Sequence, residues 1–498
     1  MTSIINEVAA IIMRFRLNSK SLNRGLTFIL LLLILAASLM VVQLFLAYDS
    51  LQLKSTQTQA KSQRLSWNQT SSHRKSHHDV VNEHITTVQH PSRFDDSKFK
   101  QLQIYHQNTL ALRDQFNCRN LFEDDQEEQK KVVEFHNQNA NTYPVVANEN
   151  VPEIIEDCEA FKAIRGYRTD PGSQAERRFP LAYVILVHKD FEHLERLLRA
   201  IYMPQHSICI HVDNKVPDSL KQAVSSLARC FHNVFVASQP QEIIYAHISR
   251  LLADVVCMKD LVDKDKSWRY LINYAATEFP LRTNQETVQI LQTLHGLNDI
   301  HEQFQRRAEE RFKTEYHVVN GRMKQTKIAL PPPPYNVTIV KGQAYNTFSR
   351  AFLEWVFTDE KPRALLEWCN KTYSPDEHYW ASLNDLYHNA FLKSPGGFQG
   401  HPDKKGYITR FINWQYANPR WKCRGKTVHN ICIFSALDLP GLLPQMHLAA
   451  NKFDLTLDPV AYSCMEELLE NRTRAHLPFR LHDYTRLYFV NYKPDSRS

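Results

Sequence analysis

Residues 182–215 read AYVILVHKDFEHLERLLRAIYMPQHSICIHVDNK, and the hydropathy pattern of this stretch sets the fold. The run at 182–187 is apolar at every position, short and rich in Val and Ile, which suits a strand covered on both faces. Residues 191–202 then place Leu194, Leu197, Leu198 and Ile201 at helical spacing, and 208–213 form a second apolar run. Working outward, the pattern predicts a helix over 219–230, a strand at 234–238, a helix around 247–261 and a strand at 270–274. Strand alternating with helix at this rhythm indicates the α/β class, with a largely parallel sheet flanked by helices. Ligands in such sheets bind beyond the carboxyl ends of the strands, which singles out His188 and Asp213, then Ser238 and Tyr245.

Around this core the 498 residues divide by composition. Residues 26–47 carry no charge and suffice to cross a bilayer, with Arg14, Arg16, Lys20 and Arg24 before them. The expected order is a cytosolic tail (1–25), a signal-anchor helix (26–47), a polar stem (48–115) and a lumenal domain (116–498). Ala36, Ala37 and Ser38 leave a cleaved leader open as an alternative. Asn68, Asn336, Asn370 and Asn471 head glycosylation triplets, and all nine cysteines follow residue 117, both as an exoplasmic domain requires. The net charge of +7 is scattered and comes with no nucleic-acid recognition motif, so no nucleic-acid partner is expected. Residues 331–334 are four prolines, read as a stiff exposed connector.

The motifs narrow the chemistry. No GxGxxG, Walker loop or GxSxG occurs, which disfavours dinucleotide oxidoreductases, P-loop ATPases and Ser hydrolases. The one Asp-x-Asp, Asp263 with Asp265, closes a helix among lysines and reads as a solvated turn rather than a metal site. No CxxC pair suggests zinc. The segment 374–380, SPDEHYW, admits two readings. Ser374, Pro375 and Glu377 fit a capping box with proline at the first helical position. Alternatively, Glu377 is a carboxylate that takes a proton from an acceptor hydroxyl. Trp380, Trp414 and Tyr416 offer flat faces for a sugar or, equally, for the core. Lys452 is a cation able to receive a departing diphosphate.

Taken in order, residues 182–215, NVFVAS, CMKDL, YLIN, VVNG, TYSPDEHYW, FINWQY, NICIF and ANKFDLTLD resemble the core 2/I branching β-1,6-N-acetylglucosaminyltransferases. The resemblance implies a GT-A-like, Rossmann-type fold, a UDP-sugar donor, an O-glycan or glycoprotein acceptor, inversion without a metal or other cofactor, and a Golgi membrane location. It makes Glu377 the general base. Leu186, Val187, His188, Asp213, Asn214, Lys215, Tyr245 and Lys452 fall at donor positions. Glu302, Arg311, Trp414 and Tyr416 join Glu377 at acceptor positions. It also implies the disulfides Cys118–Cys464, Cys158–Cys230, Cys209–Cys257 and Cys423–Cys432. Cys369 is then left over, buried or bridging the two chains of a homodimer.

Two positions depart from the family pattern. His429 stands where a second diphosphate-binding cation is an arginine, and a histidine cannot form the bidentate fork, so weaker or pH-sensitive donor binding is expected. Ala308 stands where an acceptor-side lysine is expected. These departures keep a non-catalytic glycan-binding or scaffolding membrane protein as the rival reading. A peptide xylosyltransferase, the nearest rival enzyme, would carry more sequence after Cys464.

Overall fold

A computed structural model describes residues 96–493 apart from 140–142, 144, 417–420 and 476–478. The expected tail, membrane span, Asn68 and the stem up to residue 95 lie outside the described residues. Among the described residues no helix is long and apolar enough to cross a membrane.

The strands are β1 (Leu181–Val187), β2 (Ser207–Val212), β3 (Val234–Val236), β4 (Tyr270–Ala275), β5 (Glu278–Pro280), β6 (Thr314–Val319), β7 (Arg322–Ala329), β8 (Thr347–Ser349), β9 (Arg410–Ile412), β10 (Lys426–Val428), β11 (Ile431–Ile433) and β12 (Ala449–Asn451). The main sheet has the order β3-β2-β1-β4-β8. Its first four strands run parallel and β8 is antiparallel to β4. The predicted α/β sheet is therefore present, with one antiparallel edge. All seven residues of β1 are buried, and their side chains alternate between two cores. Leu181, Tyr183, Ile185 and Val187 pack with the helices Phe191–Ile201 and Asp218–Arg229. Ala182, Val184 and Leu186 pack with the helices Ser249–Lys264 and Arg350–Thr358. Double coverage explains why the run lacks polar residues, because each position on either face gives up roughly 1.5–3 kcal/mol if left exposed.

β5, β12 and β9 form a second small sheet, and β6–β7 and β10–β11 are hairpins. The polyproline segment follows β7 and, as expected, lies at the surface; its Pro331 carbonyl accepts from the Trp368 indole at 2.8 Å. Asp263 is exposed on Lys259, and Asp265 accepts from Ser207 and Ser267, so the Asp-x-Asp pair is a helix-ending turn.

The stem boundary needs correction. Asp96–Gln115, expected in the stem, is a helix whose Leu102, Tyr105 and Leu112 are buried in the domain. Arg113 on this helix is buried against Glu466 at 3.0 Å and Glu470 at 2.6 Å. A polar composition hid these contacts, since the partners lie on Pro459–Ala475, far along the chain.

All four implied disulfides are formed: Cys118–Cys464, Cys158–Cys230, Cys209–Cys257 and Cys423–Cys432. Cys369 is free and buried, as the first of its two readings has it. Asn336 and Asn370 are exposed, and Asn471 is half-buried within the helix Pro459–Ala475.

Candidate active site

The carboxyl ends of β1 and β2 open into a cleft of about 490 Å³ lined by Asn148, His188, Lys189, Asp190, Asp213 and Lys215. Asp213 is buried directly after β2, its Oδ1 accepting from the Lys215 amide at 3.0 Å and the Ile243 amide at 3.3 Å. It is thus a turn-forming residue and a cleft residue at once. The Asn214 amide donates to Gln241, and the Lys215 ammonium donates to the Ile243 carbonyl. Leu186 and Val187 are buried, and their carbonyls accept from Ala276 and Asp213. Among the expected donor residues these two serve as floor: their side chains are core, and they position His188.

Positive groups gather on this side. Partial burial, then Lys452 close by, holds the His188 imidazole below its usual range. Lys452, just after β12, is itself held below the lysine range by burial, with Asp454 opposing and Lys189 adding to the effect. Lys189 pairs with Asp454 at 2.8 Å. Ser238, by contrast, is bound through its amide and hydroxyl to Asp260 at 2.8 Å and does not join the group.

The capping box at Ser374 does not form. Ser374 takes φ 48° and makes no side-chain cap bond; its amide donates to the Ala246 carbonyl at 2.8 Å. Pro375–Glu377 is a single 3-10 turn, which frees the Glu377 carboxylate. Its Oε2 accepts from Arg311 Nη1 at 2.5 Å and lies 3.8 Å from Lys341 Nζ. Its Oε1 has no partner among the described residues. The Glu377 carbonyl accepts from the Gly342 amide at 2.6 Å, a contact that requires glycine there. A Cβ at Gly342 would sit 2.7 Å from the His301 carbonyl oxygen and 2.8 Å from Ala381 Cβ. Beside Glu377, Asp376 is buried, and burial, opposed by Arg250 and aided by Glu377, pushes its carboxyl up to about 6.

Tyr245 connects the two sides. It is 77% exposed, and its ring is 6.3 Å from that of His429. His429 and Asn430 occupy the β10–β11 turn with φ 50° and 64°, which presents the His429 ring at the surface. Trp414 pairs with Ile431 of the same hairpin, and Gln415 bonds to Asn430 at 2.8 Å, leaving Trp414 37% and Tyr416 80% exposed. Both are free to offer an aromatic face.

Glu302, an expected site residue, is core instead, and Trp380, read equally as a sugar face or a core aromatic, takes the second role. Trp380 is 1% exposed and packs on Phe348. Glu302 is buried, with one oxygen on the Asn384 amide and the other without a partner. Burial raises its carboxyl well above the usual range, against Lys405 and with Asp385. It faces a polar core network of Asn384, Lys405, Asp385 and Asp299. Sequence reasoning missed Lys341, Asp376 and Lys189. Of these, Asp376, next to Glu377, and Lys189, next to His188, stood inside stretches already singled out, while Lys341 did not.

The one group of His, Cys, Asp and Glu at metal-binding distance among the described residues is Cys423, Cys432 and Asp438. Its cysteines share a disulfide, and Asp438 accepts from the amides of Arg424, Gly425 and Ser435, so these ligands are already engaged.

The family model for the Core-2/I-Branching enzyme matches residues 181–442, from β1 through the hairpin that carries His429. A human β-1,3-galactosyl-O-glycosyl-glycoprotein β-1,6-N-acetylglucosaminyltransferase is 39% identical over 372 residues, 72% of this chain and 85% of the relative. A second human protein of that name, numbered 3, is 35% identical over 76% of this chain and 88% of its own length. A bovine herpesvirus 4 protein with the first name is 37% identical over 74% of this chain and 85% of its own. With this fold, these paired segments and this extent of identity, the chain belongs to the Core-2/I-branching enzyme family and is a glycosyltransferase.

Proposed function

We propose that this enzyme transfers N-acetylglucosamine, or a related hexose, from a UDP-sugar to the C6 hydroxyl of a galactose or N-acetylgalactosamine on an O-glycan. The observation that carries the reading is the Glu377 carboxylate, freed from any capping role, with Oε2 on Arg311 and Oε1 open. The acceptor hydroxyl gives its proton to Glu377 as its oxygen attacks the anomeric carbon from the face opposite the UDP, so the configuration inverts. UDP departs toward Lys452, with Lys189 and Lys215 as further positive groups and His429 beside Tyr245. Fixed cations in a cleft stabilise a leaving diphosphate in place of a metal. Trp414 and Tyr416 stack on the acceptor. The apolar stretch 26–47, the disulfides and the exposed sequons support a Golgi membrane protein with its catalytic domain in the lumen.

The test uses the full-length protein, UDP-N-acetylglucosamine and a core 1 disaccharide, with EDTA present. The expected product carries a β-1,6 linkage, and Glu377→Gln retains UDP-sugar binding while turnover falls at least 100-fold, the order expected for a lost general base. Turnover that persists in Glu377→Gln overturns the base assignment, and a strict requirement for manganese overturns the metal-free scheme.

A further inference from the structure

Glu377 is held by two cations, one from each side. Arg311 comes from the 3-10 turn Glu309–Arg311 just before β6, and Lys341 from the segment leading to β8. Both address Oε2, at 2.5 and 3.8 Å, and leave Oε1 open. The backbone that carries Lys341 is tightly fixed. Lys341 and Gln303 exchange two hydrogen bonds, at 2.8 and 3.1 Å, and the next residue, Gly342, is the one that donates to the Glu377 carbonyl. Lys341 is only 27% exposed at its side chain, so its ammonium is committed to this corner. Burial, against Glu377 and with Arg311, holds that ammonium below the usual lysine range. The charged and titratable groups facing Lys341 are Glu377, Arg311, Glu310 and His301. Those facing Glu377 are Arg311, Lys341, Asp376 and Tyr245.

A base gripped on one oxygen presents the other in a fixed direction. A second, compact ammonium 3.8 Å away has donors to spare, because three N–H groups serve a contact longer than a hydrogen bond. We propose that Lys341 is an acceptor-positioning residue, which with Arg311 fixes Glu377 through Oε2 and gives a free N–H to an acceptor hydroxyl, delivering the C6 oxygen to Oε1. The C6 proton passes to Oε1, the C6 oxygen bonds to the anomeric carbon, the bond from that carbon to UDP breaks, and Lys341 keeps its proton. This rests on Glu377 as the base.

The experiment compares Lys341→Met, Lys341→Arg and Glu377→Gln in the full-length enzyme, with UDP-N-acetylglucosamine and the core 1 disaccharide. Lys341→Met is expected to raise the acceptor KM about tenfold, the order for a charged hydrogen bond, and to leave the donor KM within about twofold. Lys341→Arg restores most of the acceptor KM. An unchanged acceptor KM in Lys341→Met overturns the proposal. So does an equal loss toward both substrates that Lys341→Arg does not repair, since that is the signature of a structural role. Should Glu377→Gln stay active, the base reading fails; should it be inactive while Lys341→Met matches the parent enzyme, only the role of Lys341 fails.

Discussion

Glu302 shows what a single buried group does to this molecule. Its carboxyl sits among Asn384, Lys405, Asp385 and Asp299, and burial makes the ionised form costly, so the folded state keeps the proton to higher pH than the unfolded chain does. A carboxyl raised in this way contributes stability that is fully present below the ordinary glutamate pKa of 4.5 and is lost as pH rises through the raised value. Glutamine has the shape and neutrality of the protonated acid. Glu302→Gln should therefore match the parent near pH 4 and exceed it at pH 8 by on the order of 1–2 kcal/mol, read from denaturant melts at the two pH values. At this scale the sequence reading was uneven for a physical reason. Glu377 stood out as a carboxylate at a turn after proline, while nothing in the order of residues reveals whether Glu302 or Trp380 points into a cleft or a core. Side-chain direction is decided by which segments pack behind it.

At the scale of the element, the β10–β11 hairpin is the clearest case. Its two-residue turn needs positive φ at both central positions, and His429 and Asn430 are among the residue types that tolerate it. The disulfide Cys423–Cys432 and the pairing of Trp414 with Ile431 hold the hairpin beside Tyr245. An arginine at the tip adds a permanent charge and a bidentate fork. His429→Arg is expected to tighten UDP binding roughly three- to tenfold, measured by calorimetry; unchanged affinity in the variant would remove His429 from the donor site. The central elements were legible because their signal is local: seven apolar residues in β1, then a helix with one apolar face, repeated. The 3-10 turn Pro375–Glu377 was not, because Ser374 is drawn to φ 48° by its bond to Ala246, a partner remote in sequence that outcompetes the cap.

For the whole molecule, the segment around Cys118 and the helix Pro459–Ala475 are locked together. Cys118 and Cys464, separated by 346 residues, form a disulfide, and next to it Arg113, Arg196 and Arg199 converge on Glu466. These guanidinium groups hold the Glu466 carboxyl far below the usual range, against the effect of burial. A protein beginning at residue 116 loses Arg113 and the buried face of Asp96–Gln115. It should be at least ~3 kcal/mol less stable than one beginning at residue 96, seen as a lower Tm, since removing one partner of a buried ion pair adds to the lost apolar contact. The sequence by itself determined the α/β class, the order of strands and helices from β1 through β4, the family, and the segments that carry the cleft, because each is written in short-range periodicity or in contiguous motifs. Tertiary structure alone decided that the helix Asp96–Gln115 packs into the domain, that Glu302 and Trp380 are core, and that Lys341 stands beside Glu377. Those outcomes depend on contacts such as Gln303 with Lys341 and Arg113 with Glu466, between segments whose partners no local pattern specifies.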